Sequence, residues 1–127
     1  SSDLIYFGME HQNWSFSATY ERWSAVTTNP NVKFTCGMTL GKAVDGYSGT
    51  GDQYAGSGKN EWIDNKDVLK KCFEYATNKE NFGGYAVFCY QYMFDPITGA
   101  SNVKTAQELS NCKKYMTEII KGEPIKY

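Results

Sequence analysis

Three runs of apolar residues, each followed by a segment with helical spacing, constrain the fold of this chain most strongly. The runs cover residues 4–9, 32–40 and 85–94. A run that is apolar throughout is typical of a strand that is buried on both faces of a parallel sheet. Successive strand–helix units predict parallel strands that are joined by crossover connections. We therefore expect an α/β fold with three consecutive βα units and a parallel sheet.

The first helix is predicted to begin near Ser15 or Ser17. Asn29 and Pro30 stop it, because a proline disfavours helical backbone at the residue before it. Four residues between these limits recur at helical spacing: Phe16, Tyr20, Trp23 and Thr27.

The second and third helices are predicted from apolar stripes and capping residues. Asp64 or Asn65 can cap the second helix, and Thr105 begins the third helix with Glu108 as the partner in a capping box. The stripe of the second helix consists of Val68, Leu69, Cys72, Phe73 and Ala76. The stripe of the third consists of Leu109, Cys112, Met116, Ile119 and Ile120. Residues 95–99 are predicted to form a turn before the third helix.

Residues 41–58 are rich in glycine and show no periodicity, so they are predicted to form a long loop. The loop contains neither GxxxxGK[ST] nor GxGxxG, so no phosphate-binding site and no cofactor is expected. We interpret it either as a flexible rim that presents Tyr47 and Tyr54 or as a tolerated surface insertion.

The charge balance and the lengths of the apolar runs argue against nucleic acid as a partner and against a membrane span. Lys and Arg number 13 against 14 Asp and Glu, which gives a net charge of −1. This balance argues against nucleic-acid binding. No apolar run approaches the roughly 20 residues that a membrane span needs. There is also no basic segment followed by an apolar one at the start, so we expect that any secretion signal has already been removed.

The four cysteines, Cys36, Cys72, Cys89 and Cys112, lie within apolar stretches and show no C-x-x-C spacing. We therefore expect no metal site. Buried, reduced thiols are favoured over disulfides, for which three pairings would remain possible.

Polar and aromatic residues follow the first two predicted strands and lie within and after the third. Parallel α/β folds place their reactive groups at the carboxyl ends of strands. Aromatic rings stack on the apolar faces of sugars, and carboxylates, amides and imidazoles bond their hydroxyls. The sequence thus predicts a carbohydrate site. Its candidate residues are His11, Gln12, Trp14, Lys42, Tyr47, Tyr54, Tyr90, Tyr92 and Asp95.

Glu10 is the candidate catalytic residue, because a carboxylate at a strand end can serve as a general acid or base. Glycoside hydrolysis uses two carboxylates ~5 to 9 Å apart, and Asp45 and Asp95 are weaker candidates for the second. Other interpretations stay open. Glu10 would be inert in a solvated loop, His11 would orient a neighbour, and the tyrosines would fill a barrel interior.

Four stretches of the chain resemble one known family in their order and spacing. They read LIYFGMEHQNWSFSATYERW, NPNVKFTCGMTLGKA, KNEWIDNKDVLKKCFEYA and NFGGYAVFCYQYMF. They look like the carboxyl-terminal part of the glycosyl hydrolase-like family ten proteins. The resemblance covers the chain to about residue 121. It implies the last three units of a TIM-type (β/α)₈ barrel from a secreted or cell-envelope bacterial protein that cleaves glycan strands, including cell-wall glycans.

The resemblance also implies roles for single residues. Glu10 would stand where the first strand opens into the cleft, Lys42 would match the family's lysine, and Tyr90 and Tyr92 would lie on the closing strand. The family commonly has tyrosine before that lysine, whereas this chain has Gly41. The acidic segment expected from the middle of the barrel has no counterpart here. Residues 1–127 would therefore be one partial barrel, whose partners are an oligosaccharide or polysaccharide and the remainder of the barrel, in the same or another chain.

Two other functions compete with that of a glycoside hydrolase-like protein. One is a non-catalytic carbohydrate-binding or assembly module of the cell surface. The other is a flavodoxin-like cofactor-binding domain, against which the missing phosphate loop counts.

Overall fold

The computed structural model describes residues 8–120, with side-chain surroundings for residues 8–116. The elements in chain order are α1 (Phe16–Val26), β1 (Phe34–Thr39), α2 (Gly41–Tyr47), a 3-10 turn (Gly56–Gly58), α3 (Glu61–Asp64), α4 (Val68–Thr77), β2 (Phe82–Phe88), α5 (Tyr90–Met93), α6 (Ala106–Asn111) and α7 (Lys113–Ile120). Among the described helices, none has the length and apolar character that crossing a membrane requires.

The two strands pair in parallel, as the succession of strand–helix units predicts. Cys36 lies opposite Tyr85, and Met38 lies opposite Val87. The described part of the chain is therefore a mixed α/β structure with a two-stranded parallel sheet. The remaining predicted strand, residues 4–9, falls outside the described residues except for Gly8 and Met9, which lie in a loop.

A hydrophobic core lies between α1, α4 and the sheet. Phe16, Tyr20, Met38 and Phe73 are each at most 1% exposed. Burial of a side chain of this size contributes about 1.5–3 kcal/mol. The Tyr20 hydroxyl keeps a polar partner in this core, since it donates to Asn81 Oδ1 at 2.7 Å.

The first predicted helix is confirmed as α1. Ser15 is its N-cap, and its Oγ accepts the N–H of Ala18 at 3.2 Å. Phe16 and Tyr20 are buried, whereas Trp23 is 38% exposed. The helix ends at Val26, ahead of Asn29 and Pro30 as expected.

The second predicted helix is confirmed as α4, but its predicted cap is wrong. All five residues of its apolar stripe are buried. Residues 61–64 form the separate helix α3, so Asp64 ends one helix instead of starting the next. The Asn65 side chain donates to the Glu61 carbonyl at 2.9 Å. The helix α4 consequently begins only at Val68.

The predicted capping box is also wrong, because the Glu108 carboxylate turns to another helix. Its oxygens accept the N–H groups of Val68 at 3.2 Å and Leu69 at 3.0 Å. The Thr105 hydroxyl donates to the Tyr92 carbonyl. Glu108 thus caps α4 from α6 and makes a tertiary contact. The single helix predicted after Thr105 is divided at Cys112 into α6 and α7.

The predicted strand over residues 85–94 ends early, at Phe88. The Leu40 N–H donates to the Phe88 carbonyl at 3.0 Å, and the residues that follow Leu40 then form α2. The residues after Phe88 therefore lose their neighbour in β1. Residues 90–93 form the helical turn α5 instead, which corrects the placement of Tyr90 and Tyr92 on a closing strand.

The glycine-rich segment is not the aperiodic loop that its composition suggests, since its first seven residues form α2. Gly46 is buried in this helix, and a Cβ there would lie 2.2 Å from the Trp62 carbonyl oxygen. This glycine lets α2 approach α3 closely, so it serves packing instead of flexibility. The predicted turn at residues 95–99 is confirmed, with the Gly99 N–H donating to the Asp95 carbonyl at 2.8 Å.

Candidate functional site

The carboxyl ends of β1 and β2 meet at one edge of the sheet, where α2 and α5 begin. Lys42 lies in the first turn of α2, and Tyr92 lies in α5. A Cβ on Gly41 would lie 3.8 Å from the Tyr92 ring, so the ring occupies the space beside this residue. Two candidates that are 50 residues apart in sequence are thus neighbours.

Lys42 forms an ion pair with Asp52. Its Nζ lies 2.8 Å from Asp52 Oδ2, and the two side chains are 30% and 9% exposed. The other oxygen of Asp52 accepts the N–H of Tyr54 at 3.0 Å. Desolvation raises the pKa of Asp52, but the hydrogen bonds from Lys42 and Tyr54 outweigh it and bring the pKa below its usual value. Asp52 is therefore an ionised acceptor, which suits it to binding hydroxyls and not to general acid catalysis.

Two adjoining cavities share Lys42 and Asp45. One, of about 230 Å³, extends to Asp52 and Tyr54. The other, of about 340 Å³, extends to Thr39 and Tyr92. We call these two cavities together the Lys42 cleft. It combines an ammonium donor, carboxylate acceptors and one aromatic residue in each cavity, and the two volumes together fall within the size range of sites for small ligands.

Glu10, His11 and Gln12 lie on a loop of residues 8–14, here called the Glu10 segment, that packs beside the cleft. The Gln12 N–H donates to the Ala55 carbonyl at 2.8 Å. His11 is buried, with 6% of its surface exposed. Glu10 is exposed.

His11 Nδ1 accepts the N–H groups of Asn13 at 3.2 Å and Trp14 at 2.9 Å. This imidazole therefore orients the backbone that follows it, as expected if His11 orients a neighbour instead of binding a sugar.

Four other candidates are placed away from the cleft lining. The Trp14 ring packs under Arg22, whose guanidinium carbon lies 5.4 Å from the ring centroid. Tyr90 packs against Phe94 with centroids 5.4 Å apart. Tyr47, at the end of α2, is 54% exposed and is not among the described residues that line the two cavities.

Asp95 is the fourth of these candidates. Its Oδ1 accepts the N–H groups of Ile97 at 2.8 Å and Thr98 at 2.9 Å. These two hydrogen bonds lower the pKa of Asp95. The carboxylate thus stabilises its own turn.

Sequence reasoning missed Asp52 and Glu61. Asp52 carries a local signal, since an aspartate next to glycine is typical of a turn in which its side chain accepts a nearby N–H. Glu61 is 4% exposed and accepts N–H groups more than 50 residues away. Nothing in the neighbouring sequence indicates that contact.

Comparison with models of protein families, with curated proteins and with solved structures finds no significant match to this chain.

Proposed function

We propose that the Lys42 cleft binds a glycan strand as part of a glycoside hydrolase-like protein. The observation that carries this proposal is that each of the two cavities sharing Lys42 and Asp45 is lined by an aromatic residue, Tyr54 in one and Tyr92 in the other. Sugar rings offer apolar faces to such aromatic side chains and hydroxyls to such charged ones.

The resemblance to the glycosyl hydrolase-like family ten proteins supports the same substrate. By that resemblance Lys42 matches the lysine of the family. Lys42 lines both cavities, as does Asp45. On this proposal the protein acts on glycans of the bacterial cell wall, outside the cytoplasm. The remainder of a (β/α)₈ barrel, in the same or another chain, would pack beside β2, where the Phe88 ring is 60% exposed.

In the hydrolytic form of the proposal, Glu10 is the carboxylate that acts on the glycosidic bond. Its segment lies beside the cleft, and its side chain is exposed to an incoming ligand. A second function, glycan binding without hydrolysis, is favoured by the contacts of Asp52. Its two oxygens are already engaged by Lys42 Nζ and the Tyr54 N–H, so Asp52 is not free to serve as the second carboxylate that hydrolysis uses.

The proposal is tested by titrating the ¹⁵N-labelled protein with the tetramer of N-acetylglucosamine and, separately, with cellotetraose. We expect saturable shifts at the amides of Lys42, Asp52, Tyr54 and Tyr92. Tyr54→Ala should weaken the affinity about threefold to tenfold, the contribution expected of one aromatic contact. Tyr54 is 84% exposed, so its loss leaves the fold intact.

Tyr47→Ala is the matched variant. It removes a second exposed tyrosine of the same segment, one that sequence alone assigns to the site and that the structure places outside the cleft. Its affinity should equal that of the unmodified protein. Equal losses in both variants, or shifts confined to another face, would refute binding in the Lys42 cleft. Once binding is established, Glu10→Gln separates hydrolysis from binding alone. Only hydrolysis requires this carboxylate, so the substitution should abolish cleavage of the glycan and leave its affinity unchanged.

A further inference from the structure

Glu61 is a buried carboxylate with partners far away in the sequence. It lies on α3 and is 4% exposed. Its Oε2 accepts the N–H of Met9 at 2.9 Å and the N–H of Glu10 at 3.1 Å. Desolvation raises the pKa of Glu61 in spite of these two hydrogen bonds. A buried carboxylate is costly unless it is bonded in this way, so its backbone partners account for its position.

Two glycines permit the close approach of the Glu10 segment to the stretch that carries Glu61. A Cβ on Gly8 would lie 1.9 Å from Glu61 Oε1. A Cβ on Gly58 would lie 2.1 Å from the Glu10 carbonyl oxygen and 3.0 Å from the His11 nitrogen. The segment thus lies directly against the Glu61 carboxylate at Gly8 and against the backbone of Gly58 at Glu10 and His11.

The contact determines where the next residues stand. His11 follows Glu10 directly and is buried. The next residue, Gln12, donates its N–H to the Ala55 carbonyl at 2.8 Å, and the Ala55 N–H donates to the Asp52 carbonyl at 3.1 Å. Asp52 in turn holds Lys42 at 2.8 Å. A chain of named contacts therefore leads from Glu61, through the backbone of the Glu10 segment, to the Lys42 cleft.

We propose that Glu61 is the positioning residue of the cleft: its carboxylate holds the backbone of Met9 and Glu10 and thereby sets Glu10 and His11 beside the Lys42–Asp52 pair. The part of this inference that concerns glycan affinity rests on the proposed function. The part that concerns the position of the Glu10 segment does not.

Two substitutions at Glu61 separate its charge from its acceptor atom. Glu61→Ala removes the acceptor, whereas Glu61→Gln retains an oxygen that can take the place of Oε2 without the charge. Charged acceptors form hydrogen bonds about twice as strong as neutral ones, so Glu61→Gln should retain part of the effect. Glu108→Gln is the control. It changes a carboxylate that is equally buried and also accepts two N–H groups, those of Val68 and Leu69.

His11 provides a direct readout, because it is the only histidine in the chain and its imidazole yields one set of resonances. In Glu61→Ala we expect the His11 Cε1–H signal to move to its position in the urea-unfolded chain. The movement should be smaller in Glu61→Gln and absent in Glu108→Gln. Gly58→Ala should produce the same movement with Glu61 intact, which tests the inference even if Glu61→Ala does not fold.

Affinity for the N-acetylglucosamine tetramer should follow the same order. We expect a loss of about tenfold in Glu61→Ala, about threefold in Glu61→Gln and less than about twofold in Glu108→Gln. An unchanged His11 signal in both Glu61→Ala and Gly58→Ala would overturn the inference, and so would equal losses of affinity in Glu61→Gln and Glu108→Gln. If the unmodified protein does not bind the tetramer, the proposed function fails, and the His11 signal alone decides the role of Glu61.

Discussion

At the scale of single residues, three of the four cysteines are thiols whose surroundings disfavour the reactive thiolate. Burial raises the pKa of Cys36 to about 11 and that of Cys112 to about 12. It also raises the pKa of Cys72 well above its usual range. Cys89 is partly exposed just after β2. Because thiolates are the nucleophiles, these cysteines should differ sharply in reactivity.

The native protein should therefore show one fast-reacting thiol with an aromatic disulfide reagent at pH 8. We expect Cys89→Ser to abolish this reaction and all four thiols to react in guanidinium chloride. Two or more fast thiols in a protein that retains its native circular dichroism spectrum would show that the core is more accessible than this structure allows.

The residues of the Lys42 cleft show what sequence reasoning can find in a site. Lys42 and Tyr54 were candidates because they lie in the connection after the second predicted strand, and Tyr92 was a candidate at the end of the third, which the structure shortens to Phe88. Asp52 was missed, since its ion pair depends on how residues 48–51 turn between α2 and the 3-10 turn. Trp14 and Asp95 were predicted from residue type and from their position just after a predicted strand, but their side chains make local contacts, with Arg22 and with the turn at residues 95–99.

At the scale of elements, α4 depends on a residue that is remote in sequence. Asp67 occupies the N-cap position of α4, yet its side chain makes no capping hydrogen bond. It forms a 3.5 Å ion pair with Lys71 at the surface. The buried Glu108 carboxylate accepts the first N–H groups of the helix instead. Asn111, also on α6, donates to the Lys66 carbonyl at 2.6 Å.

Urea unfolding should distinguish the two capping candidates. Glu108→Ala should lower the free energy of unfolding by about 2–3 kcal/mol, because it leaves buried N–H groups without a charged acceptor. Asp67→Ala should cost less than about 1 kcal/mol, as expected of an exposed ion pair. A larger loss in Asp67→Ala than in Glu108→Ala would mean that α4 is capped locally.

Elements with a clear pattern of apolar residues were predictable from the sequence, whereas the residues at which they begin and end were less predictable. The apolar stripes of α1 and α4 and the run that forms β1 were enough to locate those elements. The end of β2 was not predictable from its composition, because residues 85–94 stay apolar after the pairing with β1 has ended. The start of α4 was missed because its cap is supplied by α6. The helix α2 was missed because glycines that permit close packing look the same in a sequence as glycines that permit flexibility.

At the scale of the whole molecule, the parallel pairing of β1 and β2 is the feature that gives the cleft its place. It brings the starts of α2 and α5 to one edge of the sheet, so that Lys42 and Tyr92 line the same cavity. The α/β class and the parallel order followed from the alternation of apolar runs and helical segments. The (β/α)₈ barrel remains a proposal that rests on the resemblance.

The most direct test of the account is a crystal structure of the protein with the N-acetylglucosamine tetramer bound. We predict a sugar ring against Tyr54 or Tyr92, with hydroxyl groups within hydrogen-bonding distance of Lys42 Nζ and the Asp45 carboxylate. An oligosaccharide bound at saturating concentration on any other face, with the Lys42 cleft empty, would contradict the account.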